Sequence, residues 1–194
     1  MDKFDEVFNA TLNNDHSIDI HVHKKYTSCF AKHFFLYCDD VRICELTIKD
    51  KRETNNHFHY VLTNVPALTI GSEYKIFDDR YLYCFLDMSV LLKDEKICSL
   101  FYSNEVMGAH YHKFYTTFRF FSPLATSGYV VYELEGKETI LSLEKDTDTG
   151  VFFGRANGDL TGAKYYFIVR INGNLVYAND PYAKGLTNQS AKGV

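Results

Sequence analysis

Apolar and polar residues alternate along much of this chain, which is the pattern of a β-strand with one buried face. The alternation is clear in HSIDIHVH (residues 16–23) and in VRICELTI (residues 41–48), whose apolar positions include Val41 and Ile43. Three further runs rich in Tyr, Phe, Val and Ile follow: HFHYVLT, EYKIF and RYLYCFLD. Because β-branched and aromatic residues favour strands, the first half of the chain is predicted to be mainly β-structure.

Helical periodicity is found in one place. The segment MSVLLKDEKICSLF, residues 88–101, repeats apolar residues at intervals that suit a helix. One short helix is predicted there.

Strands come at shorter and more regular intervals after Gly108. The runs are YTTFRFF, GYVVYEL, ETILSLEK, GVFFGRA, AKYYFIVR and NLVYAND, and turn pairs such as Glu135-Gly136 and Asn172-Gly173 separate them. Asn-Gly is the strongest short hairpin signal, since both residues tolerate positive φ. Six or seven short strands in about 70 residues are typical of an immunoglobulin-like antiparallel sandwich. The prediction is an all-β chain of two β-sandwich domains, residues 1–103 and 104–194.

Composition and charge exclude some classes of function for this chain. The chain has 194 residues, of which 46% are hydrophobic, so a packed core is expected. Its net charge of −4 argues against binding nucleic acid, which requires a basic face. No apolar run approaches the roughly 20 residues that span a bilayer, so no membrane association is expected either.

The cysteines indicate a reducing compartment. All five lie in the first half of the chain, their number is odd, and no C-x-x-C pair occurs. We therefore expect buried free thiols rather than disulfides. Since the N-terminus is acidic and lacks an apolar signal segment, a cytoplasmic protein is predicted.

Signatures of catalysis are not found in the sequence. There is no G-x-S-x-G elbow, and the glycine-containing GSEYKIF and GRANGDLTG lack the Lys-Ser/Thr step of a phosphate loop. The paired carboxylates near turn-forming positions are Asp39/Asp40, Asp78/Asp79 and Asp146/Asp148. Aspartates in turns usually accept hydrogen bonds from their own backbone, so we predict structural roles for them and no catalytic residue.

Three His-x-His pairs are present: His21/His23, His57/His59 and His110/His112. Residues i and i+2 of a strand share a face, so each pair can present two imidazoles to one metal ion. A complete site needs further ligands from another strand. Exposed polar positions on strands explain the same pattern, and on that interpretation no metal and no cofactor are expected. A metal-binding β protein is kept as an alternative.

Aromatic residues are unusually frequent, with 15 Tyr and 16 Phe but no Trp. Most of them are expected in the core. Those on an exposed face can instead stack on the C–H faces of sugar rings. Tyr132, Tyr166 and Tyr177 are the candidates for weak glycan contact, because each is predicted near a strand end or on the outward alternation.

Three segments of the second half together resemble one known family. GAHYHKFYTTFRFFSPLA (residues 108–125) is similar to the G-A-x-Y…T-x-F-[R/K]-x-W-A-P-x-A opening of family 48 carbohydrate-binding modules in type I pullulanases. LEKDTDTGVFFGRANGDLTGAKYYFIVRINGN (residues 143–174) resembles the family's G-V-W…G-D-L-x-G-x-x-Y-x-Y-x-V segment, and NDPYAKGLTNQSAKGV (residues 179–194) resembles its D-P-Y-A-K exit. The first hundred residues are similar, more loosely, to the β-rich domain that precedes this module.

The resemblance implies a glucan-debranching enzyme of glycoside hydrolase family 13, which cleaves α-1,6 branches in pullulan, glycogen or limit dextrins. Retaining hydrolysis needs two carboxylates about 5 Å apart, and in this family a (β/α)₈ barrel of on the order of 250 residues carries them. No such segment is found, and Val194 falls within the exit motif. We expect a non-catalytic N-terminal part whose partners are its own barrel and, weakly, α-glucan. A stand-alone scaffold protein that binds glycogen or another α-glucan is the alternative.

The chain departs from the family pattern in two ways, and the second lowers the expected affinity. Phe121 stands where the family has Trp, and it is expected to pack in the core as that Trp would. Glycogen-binding relatives hold glucan with two tryptophans and a lysine. The resemblance aligns Tyr177 with the second tryptophan and Tyr166 with the lysine, while the loop of the first tryptophan is shortened to ELEGKE (residues 133–138). One platform aromatic, Tyr177, is therefore expected, with millimolar affinity at best.

Overall fold

The computed structural model describes residues 8–185. The chain divides into two compact units, Met1–Cys98 and Ser99–Val194. The regular elements of the described residues are fourteen strands, one short 3₁₀ helix and one short α-helix. The prediction of an all-β chain with two domains is confirmed, while the boundary between residues 103 and 104 stays a prediction.

Seven strands of the first unit form one closed barrel in the order β1-β2-β5-β4-β3-β6-β7. The strands are β1 (Phe8–Leu12), β2 (Ile18–His23), β3 (Phe34–Cys38), β4 (Val41–Glu53), β5 (His57–Thr63), β6 (Tyr74–Asp78) and β7 (Tyr83–Asp87). All neighbours pair antiparallel except β1 and β7, which pair in parallel through Ala10↔Leu86 and Thr11↔Asp87. This last pairing joins the two edges, so the sheet has no free edge.

Alternation along β2 places its apolar side chains inside the barrel, as the sequence predicts. Ile18, Ile20 and Val22 are fully buried, whereas His21 and His23 lie on the outer face.

The large Tyr60 of β5 is also fully buried, and its hydroxyl accepts a hydrogen bond from the N–H of Ala31 at 2.7 Å. Burial raises the pKa of this phenol. Tyr60 is therefore held as the neutral phenol inside the barrel.

The interpretation of Val41 and Ile43 as inward-facing residues is wrong. They are 64% and 48% exposed, and Leu46 is the buried residue of β4. Successive residues of a strand face opposite sides, so Ile43, three positions before buried Leu46, faces outward. Ile43 is also the extra residue of a β-bulge, because the pairing with β3 passes directly from Cys44 to Arg42.

The segment predicted as one helix forms two separate short helices. A 3₁₀ helix covers Ser89–Lys93, and a short α-helix, α1, covers Glu95–Cys98. Asp94 lies between them in extended conformation, with ψ of 115°. None of the helices described in residues 8–185 is long and apolar enough to cross a membrane.

The second unit is a sandwich whose two layers share one strand. Its strands are β8 (Gly108–His112), β9 (Tyr115–Phe121), β10 (Ser127–Leu134), β11 (Lys137–Asp146), β12 (Val151–Asn157), β13 (Lys164–Ile171) and β14 (Asn174–Ala178), in the order β14-β13-β10-β11-β12-β9-β8. Strand β11 pairs with β10 up to Leu143 and with β12 from Glu144 onward. It therefore passes from one layer to the other.

The core of this unit lies between the layers. Phe118, Phe152 and Phe167 are buried there with Val130 and Tyr165. The aromatic runs of the sequence thus supply most of the volume that holds the two layers together.

Two hairpin turns of this unit agree with the sequence. Glu135-Gly136 and Asn172-Gly173 have positive φ at both residues, as two-residue hairpins with the correct twist require. The predicted hairpin turns at these two places are confirmed.

All five cysteines are free thiols. Cys84 is buried, Cys38 and Cys44 are half-buried, and Cys29 and Cys98 are exposed. The expectation of buried thiols is therefore correct for Cys84 alone.

Candidate functional site

Two of the three predicted glycan-contact residues lie side by side. Tyr166 is on β13 and Tyr177 is on the edge strand β14, and the register Ile168↔Tyr177 places both side chains on the outer face. Their ring centroids are 6.1 Å apart, with 34° between the ring planes. Tyr177 is 64% exposed, whereas Tyr166 is half-buried. We call these two residues the tyrosine pair.

The tyrosine pair continues into an apolar row across the outer face. Tyr166 is opposite Val131 of β10, and Val131 is opposite Ile140 of β11. Val131 is buried beneath its neighbours, while Ile140 is 68% exposed. The face thus offers an accessible ring at one edge and an accessible aliphatic side chain further across the sheet.

Tyr132 does not join them. It is opposite Tyr165 in the pairing of β10 with β13, and Tyr165 is a core residue, so Tyr132 faces the space between the layers. Its ring stacks on Phe118 with centroids 6.3 Å apart and planes 13° apart. The predicted outward position of Tyr132 is wrong, because its parity in β10 is that of buried Val130.

Tyr132 lines a cavity of about 280 Å³ at one end of the sandwich, which we call the end cavity. Its walls come from β8, β9, β10 and β13 and from the segments after β12 and β14; the lining residues are Ala109, Tyr111, Thr116, Phe118, Tyr132, Leu160, Thr161, Gly162, Ala163, Tyr165, Tyr182 and Lys184. The G-A-x-Y, G-D-L-x-G and D-P-Y-A-K segments of the sequence therefore meet around one space.

Hydrogen bonds explain why the D-P-Y-A-K segment has its aspartate. The hydroxyl of Tyr165 donates to Oδ2 of Asp180 at 2.6 Å, and the N–H of Tyr182 donates to Oδ1 at 2.8 Å. Asp180 is 3% exposed. Burial, reinforced by the bond to Asp180, raises the pKa of Tyr165. The carboxylate thus fixes the chain after β14 against the sandwich.

The aspartate of G-D-L-x-G has a similar role at the cavity rim. Oδ1 of Asp159 accepts hydrogen bonds from the N–H and the hydroxyl of Thr161, at 2.9 and 2.6 Å, and lies 3.1 Å from the hydroxyl of Tyr111. The side-chain bond from Thr161 is the main cause that lowers the pKa of Asp159. The cavity rim therefore carries an ionised carboxylate with two hydroxyl groups beside it.

Two family descriptions match this chain, one for each unit. Residues 8–90 match the pullulanase N1-terminal domain, and residues 106–183 match carbohydrate-binding module 48, also described as the isoamylase N-terminal domain. The chain is a pullulanase N1 domain followed by a family 48 module. The fold of the second unit, with its three motif segments around the end cavity, agrees with that assignment.

Comparisons with individual proteins also find pullulanases. The pullulanase of Bacillus subtilis (strain 168) is 24% identical over 149 residues, which are 77% of this chain and 21% of that protein. The crystal structure of pullulanase type I from the same strain, complexed with maltose, superposes with a TM-score of 0.83 at 22% identity, over 100% of this chain and 27% of that one. Pullulanase from Anoxybacillus sp. LM18-11 gives a TM-score of 0.79 at 23% identity, over 96% and 27%. The chain spans about a quarter of the length of these pullulanases.

One expectation drawn from the pullulanase pattern is wrong. Phe121, which stands at the family's tryptophan position, is 50% exposed rather than buried. It ends β9 and is followed by the turn at Ser122, whose N–H donates to the carbonyl of Gly150. Its neighbour Phe120 faces the core, where it stacks on Phe152, so Phe121 faces the other side of β9.

The histidines of the N1 domain come together, although the sequence could not show which pairs meet. Strands β2 and β5 place four of them on one outer face, with the pairs His21↔His59 and His23↔His57 directly opposite. The ring centroids of these pairs are 4.4 and 4.8 Å apart.

These histidines bind protein groups. Nδ1 of His59 accepts from Nε of Arg52 at 3.0 Å, and its Nε2 lies 3.3 Å from Asp19. Nδ1 of His23 accepts from the N–H of Lys25 at 2.9 Å. Within residues 8–185, no three His, Cys, Asp or Glu side chains are arranged to hold a metal ion. The geometry gives no support to the metal-binding alternative.

Two of the carboxylates that the sequence placed in turns, those of Asp78 and Asp146, have the predicted structural contacts. Asp78 is 2% exposed, pairs with Arg80 at 2.6 Å and accepts the N–H of Leu82. Asp146 accepts the N–H of Asp148 at 3.0 Å. These side chains stabilise turns.

Proposed function

We propose that this chain is the non-catalytic N-terminal region of a cytoplasmic α-1,6-glucan debranching enzyme of glycoside hydrolase family 13. The observation that carries the proposal is the tandem of an N1 domain and a family 48 module on one chain. Their succession in this order agrees with the matched pullulanases over the aligned region.

The chemistry of the described carboxylates supports a non-catalytic role. Retaining hydrolysis requires a nucleophile and an acid about 5 Å apart across the bond that is cleaved. Asp78 is held by Arg80, and Asp146 by its own turn. Incubation of the chain with pullulan should release no reducing ends, under conditions in which a complete pullulanase does. Any turnover above that of heat-denatured protein would overturn this part of the proposal.

The tyrosine pair supports a weak contact with α-glucan. Stacking of a ring contributes about 1–3 kcal/mol by analogy with nucleic-acid bases, and association costs several kcal/mol. Two tyrosines are thus expected to give a Kd of about 1 mM or weaker. Calorimetric titration with β-cyclodextrin tests this value.

Two variants test whether the tyrosine pair is the site of binding in this titration. Tyr177→Ala should weaken binding about ten-fold, whereas Tyr81→Ala, at a residue of the N1 domain that is 86% exposed, should leave it unchanged. A micromolar Kd would show that the expected weakness is wrong. An equal effect of the two variants would show that the tyrosine pair is not the contact.

An exposed apolar patch supports docking against a catalytic barrel. Tyr102, Val106 and Phe121 line one surface depression and are 71%, 68% and 50% exposed. A second depression adjoins the first, and the two share Met107, Phe121 and Tyr182. Contiguous apolar surface of this kind marks interaction sites. The proposed occupant is the barrel, because the matched pullulanases extend well beyond the aligned region, which is 21% of the Bacillus subtilis protein.

A further inference from the structure

The end cavity has the size of a binding pocket for one small ring. Packed interiors contain few voids larger than a water molecule, which takes about 30 Å³ in the liquid. The end cavity measures about 280 Å³. Ligand pockets begin at about 300 Å³, so the space suits a single monosaccharide ring.

Aromatic side chains form its walls. Tyr111 and Tyr182 are 51% and 66% exposed and stand at the mouth, while Phe118 is 2% exposed and lies deep inside. The ring of Tyr132 is stacked on Phe118 and is therefore held in a fixed orientation. Fixed aromatic planes offer the flat apolar surface on which the C–H face of a pyranose packs.

Polar groups are present both at the rim and in the wall. The hydroxyls of Tyr111 and Thr161 lie 3.1 and 2.6 Å from Oδ1 of Asp159. The two hydroxyl oxygens also lie 3.0 Å from each other. Each hydroxyl oxygen still keeps at least one lone pair that can accept a hydrogen bond from a ligand. These acceptors suit a ligand that carries several O–H groups.

The buried hydroxyl of Thr116 is a second, independent indication of a polar ligand. It lines the end cavity and is 4% exposed, and its Oγ1 is the buried side-chain atom without a hydrogen-bond partner among the described residues. A buried hydroxyl without a partner costs about 1–3 kcal/mol. A polar ligand in the cavity would give it a partner, whereas an apolar one would leave it unpaired.

We propose that the end cavity binds one glucosyl ring of an α-glucan chain, at a site separate from the tyrosine pair. The ring stacks between the tyrosines at the mouth, and its hydroxyls bond to Thr116 and to the group formed by Tyr111, Asp159 and Thr161. The choice of glucose as the sugar rests on the proposed function. The presence of a second site rests on the cavity itself.

Amide NMR of the two-domain chain titrated with maltose tests the proposal, since the two sites are on different elements. Saturable shifts are expected at Gly162 and Ala163 beside the cavity, and Tyr177→Ala should leave them unchanged. Shifts confined to residues around Tyr166 and Tyr177 would overturn the cavity site while the proposed glucan contact stands. No shift at either place at tens of millimolar maltose would overturn both.

Two variants test the hydroxyl groups. Thr116→Val preserves the shape of the side chain and should weaken maltose binding at the cavity about five-fold, the factor expected for one neutral hydrogen bond. Tyr111→Phe, at a half-exposed ring that the fold tolerates, should give a similar loss. Unchanged affinity in both variants would overturn the assignment to a sugar.

An apolar protein side chain is the competing occupant. Indole, an analogue of an aromatic side chain, is the probe for it. Shifts of Gly162 and Ala163 with indole but not with maltose would assign the end cavity to a protein partner and overturn the proposal.

Discussion

At the scale of single residues, Asp180 is the side chain on which the end of the family 48 module depends. It accepts hydrogen bonds from the hydroxyl of Tyr165 and the backbone of Tyr182, and it is almost fully buried. A buried carboxylate that loses a donor retains the cost of its removal from water. The aspartate of D-P-Y-A-K is therefore explained by folding, with no need of a sugar contact.

Tyr165→Phe measures this dependence. The variant removes the hydroxyl that donates to Asp180 and should lower the free energy of unfolding by about 1–3 kcal/mol, measured by urea denaturation. The matched control is Tyr177→Phe, which removes a hydroxyl from a ring that is 64% exposed and should change stability by less than about 0.5 kcal/mol. Equal effects would show that the buried bond contributes nothing specific.

His21 gives the N1 domain a dependence on pH. Burial is the main cause that lowers its pKa, and the neighbouring His59 adds to it while Asp19 opposes it; His57 and Arg52 face it as well. The folded state therefore binds a proton less readily than the unfolded state, whose histidine has a pKa of about 6.5. Stability should fall as the pH drops through about 6.5 and lower.

His21→Asn tests this in thermal melts at about pH 7.5 and about pH 5.5, on either side of the histidine pKa. The decrease in Tm between the two should be smaller in the variant than in the parent chain. His16→Asn is the control, because His16 lies exposed in a turn with φ of 58°, which Asn tolerates. An equal decrease in all three proteins would contradict the role of His21.

At the scale of strands, the close approach of the two layers depends on Gly128 of β10. A Cβ at this position would lie 2.6 Å from Cδ1 of Phe152 and 2.8 Å from Cζ of Phe120. Those two rings are stacked 5.0 Å apart at 10°, so neither can move without disturbing the other. A residue with a side chain is therefore excluded on packing grounds alone.

Gly128→Ala should destabilise the protein by about 1–3 kcal/mol, the usual cost of overpacking a core. Gly136→Asn is the matched control. Gly136 lies in a turn where an added Cβ would have no atom within 4 Å, and its φ of 79° is one that Asn accepts more readily than other residues. Chemical denaturation of both variants gives the comparison, and a neutral Gly128→Ala would show that the rings have room to move.

The strands could be predicted from the sequence, because each strand has a local pattern of apolar and polar residues. The pairing of strands that are distant in sequence could not be predicted. The six runs after Gly108 form β9 to β14 because apolar alternation and turn residues mark both their faces and their ends. The parallel contact of β1 with β7 joins distant residues and leaves no local signal. The side of β10 on which Tyr132 lies was assigned wrongly, because a tyrosine is found on the buried face of a strand as well as on the exposed face. The stacking of Tyr166 beside Tyr177 depends on the register of two strands, which the sequence does not show.

At the scale of the whole molecule, Tyr102, Val106 and Phe121 form an exposed apolar patch on the family 48 module. In the proposed enzyme, contact with the catalytic barrel buries this apolar surface. Such a contact stabilises the complete protein and leaves the isolated two-domain chain unaffected, because binding raises the stability only of the state that is bound.

Phe121→Ser tests whether Phe121 contacts the barrel or stabilises only its own module. In the full-length enzyme that the proposal implies, the variant should lower the Tm by several degrees, whereas in the two-domain chain its effect should be small because the ring is 50% exposed. Calorimetry on both forms is the measurement. An equal decrease in both would show that Phe121 stabilises its own module and that the barrel docks elsewhere.

Closure of the N1 barrel through β1 and β7 has a consequence for biosynthesis. Ala10 finds its partner Leu86 only after nearly the whole domain has been translated. Contacts between residues so distant in sequence form slowly, because the intervening chain must first be ordered. A nascent N1 domain thus leaves the ribosome exit tunnel with an open seam, and a chaperone that shields this seam should raise the yield of native protein more than one that acts on the finished domain.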